Sequence, residues 1–376
     1  MSLNQVVLYQ MLYQRRKGHQ VSALCPDDLW AESLKQNGIK VWDVPFARHK
    51  VFSTILALIR TWRICRRERF DVVHTHNSLP GVAGRVAARL ARIPVVVHTC
   101  HAWPLHQSRG RVATWGYETL ERFAARMAHA VLFQNPDDMS YCRDKRIVAA
   151  RKCVLIGNGI DIDSFTGRVS RNARAKIRKE LGIPDDVAII VVIARLEMPK
   201  GHFALLRAIK RLTARSRCRA VTLLVGLGID SALIRSEWER LALGQSVRFL
   251  GYREDVPDIL AASDVSALTS RFEGIPRALM ESMALGLPIV ATDVPGSRSL
   301  VQHEVTGLLV PYNDVPSIAD ALARLLEDRV LAASFGEAGR KRIIANFDER
   351  PVADRIQSIY DQIAAADAAE LPSWQL

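Results

Sequence analysis

No run of apolar residues in this 376-residue chain approaches the roughly 18 that a membrane-spanning helix needs, the longest being short pieces such as 95–97 and 187–194. A signal peptide is not expected either, because Arg15-Arg16-Lys17 follow the apolar positions of the N-terminus instead of preceding them. The expectation is a cytoplasmic protein. The six cysteines (Cys25, Cys65, Cys100, Cys142, Cys153, Cys218) form no C-x-x-C pair, which argues against a disulfide framework or a thiolate metal site and for reduced thiols. Low-complexity tracts and short-period repeats are also absent. With 49% hydrophobic residues, 24% charged and only 16 prolines, the chain can bury a sizeable core and is not a disordered one.

Charge is what the chain has in excess, and it is unevenly placed. Residues 1–157 hold 24 Lys/Arg against 11 Asp/Glu, whereas residues 158–376 hold 28 of each, so the whole net +13 sits in the first part. A nucleic-acid partner is not expected, since no reading module accompanies the charge. The helix expected over about 50–67 combines Phe52, Ile55, Leu56, Ile59 and Trp62 with Arg60, Arg63, Arg66 and Arg67. Two readings of it stand: an apolar stripe packed on a sheet with solvated arginines, or a basic, apolar face suited to an anionic membrane surface, helped by the segment Ala102-Trp103-Pro104-Leu105.

Hydrophobic patterning along the chain alternates helices with short strands, as in parallel sheets covered on both faces. The first unit opens on a helix over about 2–17 and ends with a strand over 152–156. Gly157-Asn158-Gly159-Ile160-Asp161-Ile162-Asp163 then reads as a linker. The expected organisation is 1–157, 158–348 and a last helix within 349–376. Asp161 and Asp163 form a D-x-D that could be taken for metal carboxylates, but linker turns select Asp for backbone bonding anyway.

The most informative stretch is Arg271–Asp293, which reads as loop, helix, turn and strand. Pro276 suits the first helical position, and Gly286 with Pro288 closes the helix after about Leu285. Unbonded amides around Arg277–Leu279 and the positive end of the helix dipole make an anion site. Glu273 lies in the loop before the helix. Glu281, eight positions on, lies about a turn and a half behind the helix start, where it could accept both hydroxyls of a ribose. The plainer alternative is a βα unit with two ordinary charged residues.

Glu273 to Glu281, with Gly274, Pro276, Leu279 and the following Met283-Ala284-Leu285-Gly286-Leu287-Pro288, resembles the E-x7-E signature of the retaining glycosyltransferases of family 4. That resemblance implies an α/β chain of the GT-B type, two doubly wound Rossmann-like domains facing across a cleft. It implies transfer of a sugar from a nucleotide diphosphate sugar, a UDP-sugar being favoured, to a saccharide acceptor such as a lipid-linked or envelope saccharide, with no metal and no cofactor. It also implies Glu273 and His101, the latter in Thr99-Cys100-His101-Ala102, as catalytic, and Gly274, Ile275, Pro276, Leu279 and Glu281 as donor-binding. Arg195 and Lys200, in Ala194-Arg195-Leu196-x-x-x-Lys200-Gly201, would stabilise the leaving pyrophosphate just beyond a strand's carboxyl end. Tyr252 and Arg253 would contact the base. His74 and His76, which end a strand, are at most cleft-lining.

Two departures from the family stand out. Ser299 occupies the place of a usual glutamate in Pro295-Gly296-Ser297-Arg298-Ser299, and Met1 falls where the first helix starts, so a leading strand is expected to be missing from the first sheet. This implies either a start further upstream or an incomplete sheet. Rival readings are a GT-B nucleotide-sugar epimerase, for which no water-activating acid/base set is identifiable, and an inactive homologue that only binds a nucleotide sugar.

Overall fold

A computed structural model describes residues 2–46, 51–103, 110–215 and 218–366. The chain divides into two compact units, Met1–Asn158 with Arg350–Leu376, and Gly159–Glu349.

In the first unit the helix Ser2–Arg16 precedes six strands: β1 (Ser22–Cys25), β2 (Lys40–Asp43), β3 (Val72–His76), β4 (Val95–Cys100), β5 (Ala130–Phe133) and β6 (Cys153–Leu155). Residues 2–6 are helical, so the described chain opens without a strand. All pairings are parallel, but they form two sheets, β1–β2 and β3–β4–β5–β6. Among the described residues, β1 and β3 therefore each keep one unpaired edge. Strand β4 is buried at every position, His98 and Thr99 included, as befits a central parallel strand covered on both faces. The helix Glu349–Ala365 lays Ile356, Ile359, Tyr360 and Ile363 on Val95, Val97, Ala130 and Leu132, the i, i+3, i+4, i+7 spacing of one helix face.

The second unit is one six-stranded sheet: β7 (Ala188–Ile193), β8 (Ala220–Val225), β9 (Val247–Gly251), β10 (Val265–Leu268), β11 (Ile289–Thr292) and β12 (Gly307–Val310). Its order, β12–β11–β10–β7–β8–β9, is parallel throughout. Strands β7 and β10 are neighbours from which the chain winds outward in opposite directions. The crevice at their carboxyl ends is thus the topological switch point of a doubly wound sheet, where such folds take their ligands.

Several local features differ from the sequence reading. A helix at Ala173–Leu181 was hidden by its charge: only Ala173, Ile177 and Arg178 are buried, and Gly182 ends it at φ +58°. Strand β3 continues through His76 before Asn77 turns the chain at φ 64°, so His74 and His76 do share a face. The helix of the informative stretch is Arg277–Ala284, with Pro276 in extended conformation just before its first turn.

Candidate functional site

The loops after β7 and β10 are drawn together by backbone contacts. Gly201 sits at φ +72° with an ideal Cβ position 1.9 Å from the Thr269 carbonyl oxygen, so no side chain fits there. Arg271 N–H donates to Pro199 O at 2.8 Å, and Thr269 Oγ1 donates to Gly201 O at 3.1 Å. This zipper brings Lys200 to Glu273, with Nζ 2.6 Å from Oε1. Ser270 Oγ donates to the same oxygen at 2.6 Å. Both charged side chains are mostly buried, at 21% and 11% exposure, so their charges are poorly screened. Arg195 is more open and pairs with Glu197 at 2.6 Å. The neighbouring short helix Pro295–Leu300 is just as close: a Cβ on Gly296 would lie 1.3 Å from Gly274 O. In that helix Ser299 Oγ turns back to Pro295 O at 3.1 Å.

Behind the loop, the helix Arg277–Ala284 presents its first amides at the switch point. Leu279 N–H is already bonded to Pro276 O at 3.1 Å, which leaves Arg277 and Ala278 to open the helix. Ile275 and Leu279 turn their side chains into a core cluster with Met280 and Met283, so only their backbones face outward. Glu281 is 8% exposed and accepts from Arg277 Nε at 2.9 Å. Burial pushes its carboxyl above the usual carboxylate range, and Arg277 offsets part of that rise. Glu349, 3.8 Å from Arg277 Nη1, is pushed up to about 7 by burial.

Of the two base-contact candidates, Tyr252 is 47% exposed, while the Arg253 guanidinium is committed to Glu180 at 2.6 Å and to Asp255 at 2.7 Å. The Asp161 carboxylate caps the short helix Ile162–Thr166 by accepting from Ser164 N–H at 3.0 Å, a local backbone task.

In the first unit, histidines form a ladder. The His74 and His76 rings stack at 4.4 Å, and His76 Nδ1 lies 3.0 Å from His101 Nε2, one of the two rings donating to the other. Gln134 hydrogen-bonds His101, and His74 meets Thr99 Oγ1 at 2.7 Å and Tyr360 OH at 2.5 Å. Burial lowers His76 to about 4 and His74 and His101 well below their ordinary value, so the rings are neutral at neutral pH. The sequence reading had named His101 without its partner His76, although the i, i+2 spacing of His74 and His76 pointed to a shared face. It had also missed Ser270 and Arg277, for which the only signals were Ser-x-x-Glu and an Arg-Glu pair at i, i+4.

Trp103 does not offer an apolar loop to solvent. It is 4% exposed and packs on Tyr117 and Tyr141 at 5.3 and 6.3 Å between ring centres. Pro104, Leu105 and Lys50 lie outside the described residues, as does the side chain of Phe52. In the helix Val51–Glu68 the buried stripe consists of the small residues Ala57, Thr61 and Cys65, whereas Ile55, Leu56 and Ile59 are 53%, 39% and 37% exposed. The helix Ser78–Leu90 packs between this helix and Arg111–Met127, which exposes Val112, Trp115 and Phe123 as well. No helix among the described residues is long and apolar enough to cross a membrane.

The family described as "Glycosyl transferases group 1" matches residues 173–342, and the "Glycosyl transferase 4-like domain" matches residues 3–159. The chain is 30% identical over 306 residues, 81% of it and 78% of its relative, to the UDP-Gal:alpha-D-GlcNAc-diphosphoundecaprenol alpha-1,3-galactosyltransferase of Escherichia coli. In fold it is similar to a glycosyltransferase from Rickettsia africae, with a TM-score of 0.80 and 19% identity over 97% of this chain and 95% of that one. It is similar too to Anabaena HepE in complex with UDP and glucose, with a TM-score of 0.78 and 22% identity over 95% and 94% of the two chains.

Proposed function

The chain belongs to the group 1 glycosyl transferases and is a glycosyltransferase of GT-B fold, and from that premise we propose that it transfers a hexose, with retention, from a UDP-sugar to a lipid-linked saccharide. The observation that carries this reading is the Lys200–Glu273 contact at the switch point, beside the first turn of Arg277–Ala284. The ammonium and the carboxylate neutralise each other. A diphosphate placed on the helix start would draw Lys200 to its β-phosphate, where the leaving group gathers charge as the sugar bond breaks. Glu273, still held by Ser270, would then face the transferred sugar, and Glu281 the ribose. In the first unit His101 would orient the acceptor as a neutral ring, its setting fixed by His76. UDP is favoured because UDP or UDP-Gal appears in the names of the relative and of the HepE complex.

Glu281→Ala tests the ribose assignment. It is expected to weaken UDP binding by about 1.5–3 kcal/mol, the scale of hydrogen bonds to a charged group, or roughly ten- to a hundredfold in Kd. Isothermal calorimetry showing unchanged affinity would remove Glu281 from the ribose.

The acceptor side of the reading rests on the basic first part of the chain and on its exposed apolar helix faces. Arg63, Arg66 and Arg67 are exposed on the same helix as Ile55, Leu56 and Ile59. Such a face suits the anionic surface on which a lipid-linked acceptor is presented, each basic residue contributing about 1 kcal/mol at close range. Co-sedimentation with anionic vesicles is expected at low salt, falling as salt rises through the physiological range and weakening when the three arginines are reversed to glutamate. Equal partitioning onto neutral and anionic vesicles, or none onto either, would point to a soluble acceptor.

A further inference from the structure

Arg277, Glu281 and Glu349 are 9%, 8% and 6% exposed, and the guanidinium lies between the two carboxylates. Its Nε donates to Glu281 Oε1 at 2.9 Å. On the other side Nη1 stands 3.8 Å from Glu349 Oε2, and neither of those two atoms has a hydrogen-bond partner among the described residues. The Glu349 carboxylate is held in place by the Asp161 backbone N–H. One buried cation thus serves two buried carboxylates and is hydrogen-bonded to only one.

We propose that Arg277 is a positioning residue for the donor nucleotide: by bonding Glu281 through Nε it fixes that carboxylate in the rotamer that accepts the ribose diol. The proposal rests on the ribose reading of Glu281 given above. Two hydroxyls that both donate need a group that only accepts, and a carboxylate meets that need only while ionised. Burial acts against the ionised form, and a hydrogen-bonded guanidinium alongside offsets part of that cost. The bond to Nε takes one lone pair of Oε1 and leaves that oxygen's second lone pair, together with Oε2, for the ligand. The geometry is also asymmetric in the required sense. The cation is bonded to the carboxylate at the ligand end and only near the one at Glu349, so Glu281 is oriented before any nucleotide arrives.

The test compares UDP with 2′-deoxy-UDP by calorimetry in the full chain, its Glu281→Ala variant, and Arg277→Met, Arg277→Gln and Arg277→Lys. The unaltered protein is expected to prefer UDP by about tenfold or more, the lower end of the range for hydrogen bonds to a charged acceptor. Glu281→Ala should abolish the preference. Arg277→Met and Arg277→Gln should reduce it to less than about threefold, and Arg277→Lys, which restores the cation without the planar fork, should recover part of it. Should the Met variant not fold, the Gln variant, which can still donate to one carboxylate, carries the measurement. A merely structural role for Arg277 would weaken both nucleotides by the same factor and leave the ratio intact, and that result would overturn the proposal. Absence of any preference in the unaltered protein would instead overturn the ribose reading, and the role of Arg277 with it.

Discussion

Replacing Lys200 with alanine is expected to lower the rate of sugar transfer by about 10²–10³-fold, the cost of removing one preorganised charge or donor from a reacting centre. The size follows from placement. Lys200 is held at the switch point by the Gly201–Thr269 contact and is only 21% exposed, so a departing phosphate would find the ammonium in position and poorly screened. Arg195 stands at the same strand end but is 56% exposed and tied to Glu197, so its alanine variant should lose less. Because the lysine is assigned to charge that develops as the bond breaks, the loss should fall mainly on kcat and only weakly on affinity for the intact UDP-sugar. Single-turnover assays with the donor in excess read this directly, and a rate within threefold of the unaltered protein would remove Lys200 from the mechanism. A chelator added to the same assay is expected to leave the rate unchanged. Abolition restored by manganese would return attention to Asp161 and Asp163.

What could be read from the sequence was whatever a short stretch decides by itself. Pro276, Gly286 and Pro288 bounded the helix of Glu281 to within a residue, and apolar runs such as 187–194 announced buried parallel strands. The Lys200–Glu273 pair was of a different kind. Its members are 73 positions apart, and nothing local brings them together. Their meeting depends on β10 pairing with β7 and not with β9, which is a property of the winding of the whole sheet. The basic helix Val51–Glu68 stayed open between two readings for another reason. Pattern reading assumes that large apolar residues go inside, yet in Val51–Glu68 close packing selects Ala57, Thr61 and Cys65 and leaves Ile55, Leu56 and Ile59 in solvent. A sequence cannot tell a wide apolar face from a narrow buried stripe of small residues beside an exposed one. Arg277 was missed because a charged side chain in a helix is ordinarily a solvated one, and its burial follows from Glu349, 72 positions away.

Truncating Glu121 to alanine is expected to destabilise the first unit by about 3–5 kcal/mol, because it leaves Arg85 charged and buried without its counter-ion. Arg85 is 1% exposed and Glu121 4%. Arg85 Nη2 donates to Glu121 Oε2 at 2.6 Å, its Nε donates to Gly81 O at 2.9 Å, and Tyr117 OH donates to the other carboxylate oxygen at 3.3 Å. Without the carboxylate the guanidinium keeps one backbone acceptor and no opposite charge. For a unit of this size the loss corresponds to a fall of about 6–20 °C in Tm, read by thermal unfolding. Replacing both partners with apolar residues, Arg85→Met with Glu121→Leu, is expected to recover most of it, since the desolvation of two charges is then no longer required. A double variant as unstable as the single one would show that the pair acts through shape and not through charge. Glu121 lies on the inner face of the helix whose outer face exposes Val112, Trp115 and Phe123, so vesicle binding measured below the lowered transition should be unchanged. A parallel loss of vesicle binding in the folded variant would mean that the ion pair sets the position of that outer face, and that the surface offered to the acceptor's membrane depends on a charge buried beneath it.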